Sequence, residues 1–203
     1  MRRPWFLSLL GGTERRDPAP DGGSGAAPDD SERTAERRAL AERNGWRYAE
    51  RAQRTIVGWP RPALPSGRLG SVRNAVSGER HGHGFMVFDY LYVSQHTGRW
   101  DTLLVHAVAL PVRVPYVEVH DPEGGAHDLY TESPEVRFPV DLLSAEVREE
   151  VRRYAFTDFI LDGDVFICTA SGGGPSGIES KLDAMTTLLD QVPTGVWTHW
   201  SQT

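Results

Sequence analysis

The sequence predicts an α+β fold: an antiparallel sheet, laid out as a meander plus a C-terminal hairpin, with helices packed on one face. Three observations lead there. Strand-forming runs follow one another with short connections between Val72 and His120, the mark of an antiparallel meander. Two later segments carry apolar stripes at helical spacing. Between those segments, Asp162-Gly163 stands among strand formers, as in a two-residue hairpin turn.

In chain order, Asp30 or Ser31 suits an N-cap, Arg33 to Asn44 a helix and Gly45 its stop. That helix is rich in arginine and holds only Ala35, Ala39 and Leu40 as apolar residues, so a surface position is expected. Trp46-Arg47-Tyr48 continues as a short extended piece. The Pro- and Gly-rich stretch from Thr55 to Ser71 reads as an ordered loop with Trp59 against the core, in preference to a proline-rich recognition motif. Strands follow at Val72–Ser77, turning at Ser77-Gly78, and at Gly84–Val93. Asp101–Leu110 is apolar on both faces, as in a central strand. Tyr116–His120 makes a fourth strand, and Glu123-Gly124-Gly125 turns it. In Asp141–Tyr154 the stripe is Leu143, Val147, Val151 and Tyr154; in Gly177–Val192 it is Ile178, Leu182, Met185, Leu189 and Val192.

At 203 residues the chain suits a single domain over residues 31–203 behind a disordered arm, residues 1–30. Residues 11–30 hold almost no large apolar side chain with which to offset the entropy of ordering. Charge is uneven: residues 1–60 carry 11 arginines against 9 acids, and the remainder carries 11 basic against 19 acidic groups. An acidic folded part excludes nucleic acid as the expected partner. The single cysteine, Cys168, excludes a disulfide framework, and its apolar neighbours suggest a buried thiol. No apolar run is long enough to span a membrane. The opening Met1–Leu10 has two arginines and a short apolar stretch, too brief for a signal peptide, so a cytoplasmic location is expected. At most it offers a weak peripheral membrane contact.

Four groups of residues, Ala41-Glu42-Arg43-Asn44-Gly45-Trp46, Arg73-Asn74-Ala75-Val76-Ser77-Gly78, Phe88-Asp89-Tyr90 and Val192-Pro193 with Trp197, make residues 41–197 similar to a set of uncharacterised actinobacterial proteins. The shared residues are structural in character. The resemblance implies the extent of the domain and no particular activity.

Three constellations could carry chemistry. His81-Gly82-His83 opens the second strand, and His106 lies in the third; together they could offer three nitrogens to a metal. The bland alternative is two turn histidines and one hydrogen-bonded core histidine. The loop Ser171–Gly177, through Gly172, Gly173, Gly174 and Ser176 with Lys181 one turn into the next helix, could cradle an anion. A plain connector with Ser176 as N-cap is the competing reading. Asp89, a charge among Phe88, Tyr90 and Tyr92, needs a partner if buried, and Arg73 or Arg99 could form a structural ion pair with it.

No nucleophile elbow, HExxH or Walker motif is present. The favoured expectation is a non-enzymatic protein-interaction or regulatory domain with a protein partner and no cofactor; homo-oligomerisation stays open. The alternative is an enzyme or sensor that binds a metal or small anion through His81/His83 or the Gly172–Gly177 loop.

Overall fold

The computed structural model describes residues 30–52, 59, 63–66, 70–121, 129–171 and 177–202. The N-terminal half contributes α1 (Ser31–Asn44), β1 (Arg47–Arg51), β2 (Ser71–Arg80) and β3 (His83–Val93). The long strand β4 (Trp100–His120) follows, then β5 (Tyr130–Glu132), α2 (Arg137–Leu142), α3 (Ala145–Arg153), β6 (Asp158–Ser171), α4 (Ile178–Gln191) and α5 (Thr194–Trp200). The strands form one antiparallel sheet in the order β1-β2-β3-β4-β5, with β6 also paired to β4. The fold is α+β, with the described helices packed around the sheet.

The chain divides into two compact units. The first takes the described residues within Met1–Glu79, Gly84–His106 and Thr169–Ile178; the second takes Arg80–His83, Ala107–Cys168 and Glu179–Thr203. In the first unit, Phe85, Met86, Val87, Phe88, Tyr90 and Leu91 are all buried on β3. Trp59 meets Phe88 edge-on at 5.3 Å between centroids. Trp46 meets Phe85 likewise at 4.7 Å. In the second unit, Phe156, Phe159 and Phe166 form a mutual cluster at 5.5 to 6.1 Å. Buried Val147 and Val151 carry the expected stripe of α3.

Several boundaries differ from expectation, each for a physical reason. The turn between β2 and β3 falls at His81-Gly82, both with positive φ, and not at Ser77-Gly78. Consecutive left-handed residues suit a two-residue hairpin loop. Gly78 stays inside the strand because a Cβ there would stand 2.6 Å from Cδ1 of the Trp46 indole. The two strands expected at Asp101–Leu110 and Tyr116–His120 are one, running through Pro111 and Pro115. These prolines share the pleat parity of Arg113, and same-parity residues direct their backbone N–H to the same edge. At Arg113 that edge holds an isolated bridge to Gln202, where a missing donor is tolerated. Asp162-Gly163 does not turn a hairpin: β6 passes through it as a single strand, with Gly163 at φ +55, a glycine-bulge conformation. The helix expected over Asp141–Tyr154 is two, since Ser144 caps α3 by accepting from the Val147 amide at 3.3 Å.

The close approach at Gly78 makes a prediction. Gly78→Ala must displace the rigid indole of Trp46, and should cost about 1–3 kcal/mol. Denaturant unfolding should show a lower midpoint with an unchanged slope.

Candidate functional site

A carboxylate organises the first unit. Asp89 lies in the middle of β3 and is 2% exposed. Its Oδ1 accepts from Nη2 of Arg37 at 3.2 Å, and its Oδ2 accepts from Nδ2 of Asn74 at 3.1 Å. Arg33 approaches the same carboxylate at 3.7 Å. Arg37 is fully buried, so the arginine-rich α1 is not the surface helix its composition suggests. Burial lowers the Arg37 pKa and the adjacent Asp89 opposes that shift. Among the described residues, Nε and Nη1 of Arg37 have no hydrogen-bond partner.

Asn74 is the hinge of this network. Its backbone is left-handed, φ +50, within β2, a conformation that asparagine tolerates better than most residues. Its side-chain oxygen accepts from the Thr34 hydroxyl at 2.9 Å and from the Tyr48 hydroxyl at 3.0 Å. Asn74 and Thr34 also line a cleft of about 410 Å³, together with Asp30, Ser31, Ala35, Arg38, Glu50, Arg51 and Arg73. Arg73 donates to the Asp30 carboxylate at 3.0 Å. Arg38 lies over the Tyr48 ring, 5.3 Å from its centroid.

The buried carboxylate of the sequence reading is therefore real, while its partners differ from the two arginines expected. Arg73 is bonded to Asp30, and Arg99 sits in the exposed turn after β3, where its amide donates to the Thr97 hydroxyl. The partner is Arg37, a residue 52 positions away in sequence. No local pattern selects Arg37 from the other arginines of α1. Only the docking of the helix does so.

The histidines serve a clamp within the second unit. Arg80 makes a two-pronged bond to Asp183 of α4 at 2.6 and 2.9 Å. His81 reaches the Thr186 hydroxyl at 3.1 Å and lies 3.7 Å from Asp183. His83 meets Asp190 at 3.2 Å. The tip of the β2–β3 hairpin thereby grips two successive turns of α4. His106 is a buried residue of β4 in the first unit. Among the described residues, no group of three or more His, Cys, Asp or Glu side chains is gathered as a metal ion would require.

Gly172, Gly173, Gly174 and Ser176, the expected anion loop, lie outside the described residues, as do residues 1–29 of the arm. Lys181, expected beside that loop, holds its ammonium over the Phe156 ring at 4.0 Å. Cys168 is buried and its thiol is pushed up to about 12 by burial, so it is protonated at neutral pH and a poor nucleophile. Trp59 and Tyr90 belong to the core. Trp200 donates to Asp141 at 3.0 Å. Among the described residues, the large apolar side chains left exposed are Tyr130, Val136 and Val140, at 57%, 79% and 72%.

No family model matches the chain, and no curated protein matches it in sequence. Among solved structures it is similar to the mycobacterial trehalose monomycolate transport factor A, TtfA, with a TM-score of 0.61 at 11% identity. The alignment covers 85% of this chain and 98% of that one. At that identity the likeness establishes a shared fold.

Two predictions follow from the polar networks. Asp89→Ala strands the buried Arg37 guanidinium and should cost about 3–5 kcal/mol, whereas the Arg37→Met/Asp89→Leu double variant should cost much less; chemical denaturation of the two variants beside the parent measures the difference. The Asp183 carboxyl is held below its ordinary pKa, chiefly by the hydrogen bond from Arg80. A depressed folded value means that its stabilisation is complete above the ordinary aspartate pKa of about 4 and is lost as pH falls below it. Thermal unfolding of Asp183→Asn should therefore show its largest deficit at neutral pH, with the gap to the parent closing under acid conditions.

Proposed function

We propose that this chain is a non-enzymatic accessory domain that works by binding another protein in the service of a transport process. The observation that carries the reading is the fold likeness to a transport factor over nearly the whole of its solved chain. A fold alone hosts many functions, so what the side chains do also matters. The groups with chemical potential are used in holding the structure together: Asp89 with Arg37, His81 and His83 with α4, and Cys168 in the core.

In this reading the protein works in the cytoplasm, as a single domain with a peripheral tie to the membrane through the arginine-flanked apolar tip Trp5–Leu10. Among the described residues, no helix is long and apolar enough to cross a membrane. Protein binding by such a domain needs exposed apolar anchors, and Val136 and Val140 on one side of α2 provide positions from which to detect a partner.

The test is photo-crosslinking in cells from residues 136 and 140 of the full chain. A discrete adduct with a component of a transport system is expected, lost in Val136→Asp/Val140→Asp while the unfolding temperature is unchanged. Native mass spectrometry showing a stoichiometric metal on the purified chain, removed by His81→Ala/His83→Ala, would instead establish the metal-binding alternative.

A further inference from the structure

Across the β1–β2 ladder, Arg51 stands directly opposite Arg73. Like charges placed opposite one another in an antiparallel pair destabilise it. Both residues line the cleft of about 410 Å³, and Arg38 of α1 lines it too. The acids lining the cleft, Asp30 and Glu50, offset this charge only in part. Asp30 is engaged by Arg73 at 3.0 Å. Glu50 lies 4.0 Å from Arg38, with both side chains more than half exposed, a separation at which a solvated pair contributes little. Among the described residues Arg51 has no ion pair.

A second observation concerns the start of α1, which borders the same cleft through Asp30, Ser31 and Thr34. Asp30 occupies the N-cap position, yet its side chain makes no capping bond. Its carboxylate is turned to Arg73 instead. The N-terminus of this 14-residue helix therefore borders the arginine cluster with no capping bond from the Asp30 side chain, and with Glu32 in its first turn. The cleft also has a firm floor, because Asn74 is held by Thr34, Tyr48 and Asp89.

We infer that this cleft is a binding site for a phosphate-type oxyanion. Arg51 and Arg73 would grip it from the ladder and Arg38 from the helix. Guanidinium groups match such oxygens two at a time, and an anion between Arg51 and Arg73 turns their mutual repulsion into attraction. The cleft volume of about 410 Å³ exceeds that of a bare phosphate and leaves room for the phosphate of a larger molecule: a soluble phosphate ester or the headgroup of an acidic phospholipid. The site is independent of the accessory role proposed above. It is also a different place from the glycine loop to which the sequence pointed.

The test uses the full chain, isotopically labelled and titrated with inorganic phosphate, with chloride at matched ionic strength as the control. Saturable shifts at the amides of Thr34, Arg51 and Asn74 are expected with phosphate alone. Arg51→Gln should weaken binding about tenfold, the effect of losing one charged hydrogen-bonding partner. Because the site relieves repulsion, Arg51→Gln in phosphate-free buffer should unfold no earlier than the parent, and phosphate should raise the unfolding temperature of the parent more than that of the variant. Flotation with phosphatidylcholine vesicles, with and without phosphatidylglycerol, then separates the sources. Arg51-dependent flotation with phosphatidylglycerol identifies a headgroup, and phosphate binding without flotation identifies a soluble ester. Shifts that stay linear and match those from chloride, or an Arg51→Gln variant less stable than the parent without phosphate, would overturn the site.

Discussion

A carboxylate in the middle of a buried strand needs a counter-charge and two sets of donors, and the first unit is built around supplying them to Asp89. A buried ion left alone costs several kcal/mol even after relaxation, so α1 must dock with Arg37 inward at 3.2 Å from Asp89. This explains how a helix with so few apolar residues packs at all. Leu40 and Ala41 are its buried apolar contacts, and the guanidinium does the rest. The second carboxylate oxygen is met by Asn74, which accounts for a left-handed residue within β2.

The same asparagine joins the interior to the surface. One end of its side chain holds Asp89, the other receives Thr34 and Tyr48, and the residue lines the arginine cleft. A cleft whose floor is fixed by a buried ion pair loses little conformational freedom when something binds there. Rigidity and charge are thus supplied to one place by different residues: the network provides the first, and Arg38, Arg51 and Arg73 the second.

In the second unit the polar side chains play a mechanical part. The β2–β3 hairpin tip carries Arg80, His81 and His83, and α4 answers with Asp183, Thr186 and Asp190. His81 and His83 were legible as a pair, and their short spacing does bring both to one helix. The ligand set was not legible, because the groups they meet lie more than 100 residues further along the chain. The arginine cleft was equally hidden. Arg38, Arg51 and Arg73 are three of 21 arginines, and nothing in their spacing shows that the β1–β2 register sets two of them face to face.

By itself the sequence determined what depends on neighbours along the chain: the α+β class, the strand-forming runs, the apolar stripes of α3 and α4, and the stop of α1 at Gly45. Periodicity and helix-ending chemistry act over a few residues, so they can be read in one dimension. It also marked Asp89, a charge flanked by Phe88 and Tyr90, as a residue that would need a partner if buried. Only the tertiary structure decided which arginine that partner is, where the hairpin turns, and that β4 and β6 run on through residues with turn character. Those outcomes depend on what lies across the strand or above the helix. Trp46 occupies the space beside Gly78, Gln202 bridges the edge at Arg113, and α1 docks over β3, each an encounter between segments far apart in the chain.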